Sequence, residues 1–438
     1  MGLDKSGLIE ILSDYNLWGN FNKNLKERSE YSLKLSKNLE SETINVVKGI
    51  RRSGKSSLCI KYIQEHYDKK ESLIINLEDP RLPVDIDSNM LMELLQAYYE
   101  YVNPDNLKIV IIDEAQNADV WERFARYLVE TKNVKCVVTG SSSKLLSDEY
   151  ATFITGRHID ILVFPLSFHE FLNFQGIYIN SVIDMINKKF EIINMLLEYI
   201  EYGGFPEVTI IDNSEVKKEL VKNYFNDIII KDVAKRYKIR NISQMEQISV
   251  ELLSNISDVA SLRSISRAYN IGIGTVERYF KYLSDSYLFI SLEKYSYSKR
   301  KQNKSLKKIY SIDTGIYNAL SFKFSEQEGK KMENIVAIEL FRRINNSNKT
   351  MYYWKDYYNH EVDFVINAED NVEQLLQVTY ASSYESIKKR EIENIIRAGE
   401  ELHCSDLKII TWDYEGTKTI DNVKINFVPL WKFLLSQV

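Results

Sequence analysis

The octapeptide Gly49-Ile50-Arg51-Arg52-Ser53-Gly54-Lys55-Ser56 constrains this chain more than any other segment. It fits G-x-x-x-x-G-K-[ST], and the apolar run Ile44 to Val47 before it reads as the strand that a phosphate-binding loop must follow. Gly49 and Gly54 let such a loop fold back, so that the backbone N–H groups around Arg52 and Ser53 point inward at phosphate oxygens. Ser56 and Ser57 then open a helix whose positive dipole end faces the same anion. In this arrangement Lys55 reaches the β- and γ-phosphates and Ser56 ligates Mg²⁺. The alternative is a chance glycine turn ahead of an ordinary helix, and the order strand, loop, helix argues against it. The implied ligands are ATP and Mg²⁺.

Further β-type runs recur at Leu73–Leu77, Leu107–Ile112, Val134–Thr139 and Ile159–Val163, with helical periodicity between them, which predicts an α/β fold with a parallel sheet. The third run ends in Asp113-Glu114-Ala115-Gln116. A carboxylate pair leaving a buried strand can project toward Lys55, with Asp113 holding Mg²⁺ and Glu114 accepting a proton from the water that attacks the γ-phosphate. The fourth run leads into Thr139-Gly140-Ser141-Ser142-Ser143. Its hydroxyls suit a γ-phosphate sensor, the role expected of Ser141, or equally caps for the following helix. Thr155-Gly156-Arg157 precedes the last run, and Arg157 is the expected catalytic cation for charge developing on the transferred phosphoryl group, in its own subunit or a neighbour's.

These motifs continue into Phe164-Pro165-Leu166-Ser167-Phe168-His169-Glu170-Phe171, Tyr202-Gly203-Gly204-Phe205-Pro206-Glu207, Ser311-Ile312-Asp313-Thr314-Gly315 and Glu361-Val362-Asp363-Phe364. Together the series resembles the archaeal and bacterial AAA-superfamily P-loop ATPases that carry a C-terminal domain of unknown function. The resemblance covers nearly the whole chain. It implies an ATPase core over 1–166, a helical lid over 167–240, a winged helix-turn-helix over 241–300, and a restriction-endonuclease-like α/β domain of the PD-(D/E)xK type over 301–438.

At 438 residues, two to four domains are expected, and 16 Gly and 6 Pro leave little room for disordered linkers. No run approaches 18 apolar residues, and the first residues carry Asp4, Glu10 and Asp14 where a basic, then apolar signal would stand. A cytoplasmic protein without a membrane partner is therefore expected. Cys59, Cys136 and Cys404 are scattered, which suggests neither a disulfide framework nor a zinc knuckle.

The net charge of −5 hides an asymmetry: Lys231 to Tyr310 holds 16 Lys and Arg against 7 Asp and Glu, about +9, leaving about −14 elsewhere. Within that region Ser261–Ala268 and Gly274–Leu283 read as a helix-turn-helix. The second helix buries Val276, Tyr279, Phe280 and Leu283 and offers Thr275, Arg278 and Lys281 to a groove. Strands at Tyr287–Lys294 and Ile309–Ser311, joined through Lys299, Arg300, Lys301 and Lys304, would form a basic wing. Double-stranded DNA is one expected partner. A second protein is the other, since such modules also serve as docking surfaces.

In the C-terminal part a helix carrying Glu333 and Glu339 precedes strands at Thr350–Trp354, Val362–Ile366 and Gln374–Val378, then a helix over Tyr384–Glu401 and a strand at Leu407–Thr411. The nuclease resemblance implies a helix acid from Glu333 or Glu339, Asp363 as the strand acid, and an acid-x-Lys at 377–379. Gln377-Val378-Thr379 stands there instead. Losing an acid and a lysine predicts a degenerate centre, unless Lys388 or Lys389 substitutes. Three functions are compatible with these residues: an ATP-driven switch on DNA or a protein, an ATP-regulated metal-dependent nuclease, and a protein-interaction regulator without DNA binding.

Overall fold

The computed structural model describes residues 4–141, 156–321, 327–345, 347–369 and 371–436. They fall into two compact units, Met1–Val163 with Asp285–Tyr287, and Phe164–Ser284 with Leu288–Val438.

In the first unit β1 (Ile44–Lys48), β2 (Ser72–Asn76), β3 (Ile109–Asp113), β4 (Lys135–Gly140) and β5 (His158–Leu162) form one sheet in the order β2-β3-β4-β1-β5. Every pairing is parallel. The strands match the five expected runs. They are short, and all but the half-buried edge strand β5 are rich in Ile and Val and buried on both faces, as a parallel sheet covered by helices requires. Alternate residues feed two cores. Val46, Ile75, Val110 and Ile112 pack with Leu8, Leu91, Leu94 and Phe124. Val47, Ile74, Ile111 and Val137 pack with Leu35, Leu58, Tyr62 and Ile63.

The second unit opens with helices Phe168–Phe174, Lys189–Tyr202 and Ser214–Asp227. Helix Ile242–Ser254, β6 (Val259–Ala260), helices Leu262–Ala268 and Ile273–Asp285, β7 (Phe289–Lys294) and β8 (Lys307–Ser311) follow. The remaining strands are β9 (Lys349–Lys355), β10 (Glu361–Ala368), β11 (Asn371–Val378), β12 (Leu407–Thr411), β13 (Gly416–Ile420) and β14 (Val423–Pro429). All nine from β6 onward belong to one mixed sheet, ordered β13-β14-β12-β11-β10-β9-β7-β8-β6.

Three details differ from the sequence expectation. The β7–β8 hairpin spans residue 300 and pairs with β9, so the boundary expected there falls inside a single sheet. The connection between these strands is a helix, Lys299–Lys304, and not an extended basic wing, because Lys-Arg-Lys-Gln-Asn-Lys contains good helix formers and no Gly or Pro to force a turn. β13 and β14 add a hairpin that the pattern of apolar runs does not announce. Among the described residues no helix is long and apolar enough to cross a membrane.

Candidate nucleotide site

Parallel strands bring all their carboxyl ends to one edge of the sheet, where ligands of open α/β sheets bind. The phosphate-type loop leaves β1 at that edge and enters helix Lys55–His66. Gly49 has no room for a side chain: a Cβ there would lie 2.1 Å from the Val163 carbonyl oxygen. Lys55 is buried, and its ammonium donates to the carbonyls of Gly49 (3.1 Å) and Ile50 (3.0 Å). Arg28, which no motif marks, donates from a buried guanidinium to the Ser53 carbonyl (2.9 Å) and lies 4.5 Å from the Tyr31 ring. It braces the loop from behind. Arg51 pairs with Glu78 at 2.9 Å beside the site.

β3 delivers the acids. The Ser56 hydroxyl donates to Asp113 Oδ1 at 2.7 Å, and the Thr139 hydroxyl at the end of β4 donates to the same oxygen. The Glu114 N–H donates to Thr139 Oγ1 (3.1 Å), and Gln116 donates to the Glu114 carboxylate. Burial raises the pKa of both Asp113 and Glu114 above the usual carboxylate range, with Lys55 opposing the shift. Ser141 is fully buried one residue beyond β4, at the edge where Gly140 pairs with Lys48. Ser142, Ser143 and Thr155 lie outside the described residues.

The donor set fits Mg²⁺ and a triphosphate. A hydroxyl and a carboxylate 2.7 Å apart at a helix N-terminus are the ligands expected of Ser56 and Asp113. The Ser53 hydroxyl is buried without a hydrogen-bond partner, so a loop donor remains for an incoming oxygen.

Arg157 is the one expected member that the fold keeps away. β1 and β5 run parallel with Ile44 opposite His158 and Lys48 opposite Leu162. Arg157 therefore stands at the amino end of β5, six residues and about 20 Å along the strands from Gly49 at roughly 3.3 Å per residue. There it pairs with Glu130 and is 55% exposed.

A second cluster occupies the C-terminal sheet. Lys308 of β8, only 2% exposed, contacts Glu361 (2.7 Å), Glu333 (3.0 Å) and Asp363 (3.0 Å). Burial alone would lower its pKa, but the surrounding carboxylates outweigh burial and hold it charged. Burial, then Asp363, pushes the Glu333 carboxyl up to about 8. Tyr310 donates to Glu333 at 2.8 Å. Gln377 accepts from the Asp363 N–H (3.3 Å), and Thr379 hydrogen-bonds Glu391. Of the two candidate acids on this helix, Glu333 joins the cluster, while Glu339 is taken up by Arg342 and Arg343. The lysine of the cluster is neither Lys388, which is exposed, nor Lys389, which pairs with Glu393 in solvent. It is Lys308, whose alternation with Tyr310 in a buried strand was the available signal. Among the described residues no group of three or more His, Cys, Asp or Glu is placed to hold a metal ion.

The comparisons with known proteins bear on the whole chain. Residues 41–172 match the family described as AAA domain, 193–328 a domain of unknown function (DUF8612) and 328–433 another (DUF4143). The uncharacterized protein MJ1544 of Methanocaldococcus jannaschii is 37% identical over 404 residues, 90% of this chain and 88% of that one. The chain belongs to this family of AAA-type ATPases with C-terminal domains of unknown function. An uncharacterized Haemophilus influenzae protein is 27% identical over 92% of this chain and 98% of its own length. Among solved structures, the Walker-type ATPase PABY2304 of Pyrococcus abyssi aligns with a TM-score of 0.47 and 16% identity, covering 72% of this chain and 99% of that one. An AAA domain accounts for the cluster of Lys55, Ser56, Asp113 and Glu114 at one sheet edge.

Elsewhere in the second unit, helix Ile273–Asp285 buries Val276, Tyr279 and Leu283 as its periodicity requires, while Phe280 is half-buried. Arg278 and Lys281 are exposed, and Arg278 donates to Thr275 (3.3 Å). Lys299 and Arg300 are exposed, and the side chain of Lys301 lies outside the described residues. Of the six cations between Lys299 and Lys308, Lys307 pairs with Glu293 and Lys308 is buried, so the phosphate grip is smaller than the composition implies.

Proposed function

We propose that this chain binds and hydrolyses ATP and uses nucleotide state to control how its second unit engages DNA. The observation that carries the reading is the convergence of Lys55, Ser56, Asp113, Glu114 and Thr139 at the carboxyl edge of the parallel sheet. On ATP binding, the Lys55 ammonium exchanges the Gly49 and Ile50 carbonyls for β- and γ-phosphate oxygens, while the loop N–H groups and Ser53 Oγ cradle the remaining oxygens. Ser56 and Asp113 would hold Mg²⁺, which when bound neutralises charge on the β- and γ-phosphates. Glu114 takes the proton from the attacking water, and burial raises its pKa, which makes it a stronger base. Ser141, at the same edge, remains the assigned sensor of the γ-phosphate.

For DNA, support comes from the element order: helix, short strand, two helices, then a hairpin. That is the order of a winged helix, with Arg278 and Lys281 on the exposed face of its second helix. The C-terminal sheet reads as a degenerate nuclease fold, because the Lys308 ammonium stands within 3.0 Å of all three acids and already compensates their charge. A nuclease reading draws on the same lysine, since an ammonium among acids is part of such centres. Mn²⁺-dependent cleavage of duplex DNA that disappears in Asp363→Ala would establish that reading, and no cleavage is expected.

The primary test is nucleotide binding and turnover. Lys55→Ala should abolish tight ATP binding, whereas Glu114→Gln should keep binding and lose about 10²- to 10⁴-fold in turnover. Wild-type turnover in Glu114→Gln would remove the base assignment.

A further inference from the structure

The second unit contains a groove of about 800 Å³ bounded by the segment after β7, helix Lys299–Lys304, the turn between β9 and β10, and helix Lys389–Glu401. Its chemistry is not that of a core left open. Tyr297, Tyr357 and Tyr358 are 75%, 93% and 73% exposed and line this one groove together. The rings are arranged in edge-to-face pairs: Tyr357 with Tyr358 at 5.6 Å and 87°, and Tyr297 with Tyr295 at 5.5 Å and 78°. Tyr295 is in turn braced by Tyr352 at 5.6 Å. Each pair therefore leaves at least one ring largely open to solvent.

The charges around these rings favour an anion. Lys294, Lys355 and Arg397 line the groove, the last two paired with Glu361 (3.0 Å) and Asp356 (3.7 Å), and Lys299 and Arg300 are exposed on the helix that forms one wall. Lys294, Lys299 and Arg300 make no ion pair among the described residues. Both acids of the groove are engaged: Asp356 accepts from His360 and pairs with Arg397 (3.7 Å), and Glu401 accepts from the Trp354 indole (3.2 Å). Open π-faces interleaved with unpaired cations match a ligand that alternates flat bases with phosphates. A peptide without acidic side chains would use the tyrosines but would not explain the unpaired cations. A duplex presents phosphates but hides its base faces.

We infer that this groove binds an unpaired stretch of nucleic acid, with bases stacked on Tyr297, Tyr357 and Tyr358 and the backbone held by Lys294, Lys299 and Arg300. The inference rests on the nucleic-acid reading above but not on the helix-turn-helix. Stacking on an aromatic ring tolerates any base, so the site has little sequence preference and its affinity falls with salt.

The test uses the full chain, a labelled mixed-sequence 20-nucleotide DNA strand, and the same sequence as duplex, followed by fluorescence anisotropy. Wild type should bind the strand. Y297A/Y357A/Y358A should lose tenfold or more in strand affinity, while duplex affinity and ATP turnover stay as in wild type. Y297F/Y357F/Y358F, which keeps the π-faces and removes only hydroxyls, should retain strand affinity. Unchanged affinity in the alanine variant, or equal loss in the phenylalanine variant, would overturn the proposal. No strand binding by wild type would overturn it as well and leave the groove to a protein partner. The helix-turn-helix reading is judged separately: Arg278→Ala with Lys281→Ala should weaken duplex binding and leave strand binding intact.

Discussion

Glu114 stands at φ 54°, a left-handed conformation that costs a residue with a Cβ roughly 1–2 kcal/mol. Such strain persists only where the surroundings over-determine the backbone, and here Thr139 does so by accepting the Glu114 N–H while donating to Asp113. Thr139 thus ties Asp113, the proposed metal ligand, to Glu114, the proposed proton acceptor. Thr139→Val keeps the shape of the side chain and removes both bonds. It should lower turnover by about 10- to 100-fold with little change in ATP affinity, because positioning of the base matters only in the transition state. A comparable loss of affinity, measured by titration with a fluorescent nucleotide, would instead make Thr139 a ground-state contact. Arg157 poses the opposite problem, since the register of β1 and β5 holds it at the far edge of its own sheet. If it assists hydrolysis at all, it does so on a neighbouring copy. Arg157→Ala and Glu114→Gln should then each be poorly active alone, yet recover part of the turnover when mixed. Mixtures no more active than the sum of their parts would return Arg157 to a structural role with Glu130.

Between elements, the motif Tyr202-Gly203-Gly204-Phe205-Pro206-Glu207 meets Ser311-Ile312-Asp313-Thr314-Gly315, a contact between positions 109 apart that the sequence conceals. Asp313 is buried, and its two oxygens accept from the Gly204 N–H (2.7 Å) and the Gly315 N–H (2.8 Å). A Cβ on Gly203 would lie 1.9 Å from Asp313 Oδ1, so the glycine is needed for this approach. Asp313→Asn loses one acceptor and should destabilise the unit by about 1–3 kcal/mol, the cost of a buried polar group left without its partner. Burial raises the Asp313 carboxyl to about 6 from 3.8. A carboxyl that binds its proton more tightly when folded contributes fully below its unfolded pKa, and that contribution is lost as pH rises through about 6. The stability advantage of wild type over Asp313→Asn, followed by urea unfolding, should therefore shrink from pH 4 to pH 7. An advantage that grows would show that the charged form is the favoured one. The two glycines and the Pro206 turn are readable as a helix break, and Asp313 as a strand-end acid; only the fold reveals that they are halves of one joint.

Across the whole molecule, legibility follows the strength of local patterning. The five strands of the first sheet are readable because each is a short run dominated by Ile, Val and Leu, and the carboxylates follow because the edge they reach is set by strand direction. β13 and β14 are not readable, since Gly-Thr-Lys-Thr-Ile alternates on a half-exposed edge and looks like loop. Lys308 escapes notice for a related reason: within a run of cations it looks solvated, and only the β8–β10 neighbourhood shows it to be the counter-ion of three acids. What no local pattern encodes is coupling between the nucleotide site and the nucleic-acid surfaces, and the proposed function stands on it. Coupling is a difference in binding free energy and is reciprocal: a factor by which ATP changes DNA affinity must equal the factor by which DNA changes ATP affinity. The relation holds for equilibrium binding and not for turnover, so Glu114→Gln, which should hold ATP without hydrolysing it, is the variant in which to measure it. With Mg²⁺ present, ATP should shift duplex affinity of this variant by about 5- to 150-fold, and saturating duplex should shift its ATP affinity by the same factor. Adding Lys55→Ala to the variant should erase the first effect, because a loop without its ammonium has no bound state to report. A factor of one in both directions, with both ligands bound, would show two independent sites on one chain and would end the description of this protein as a switch.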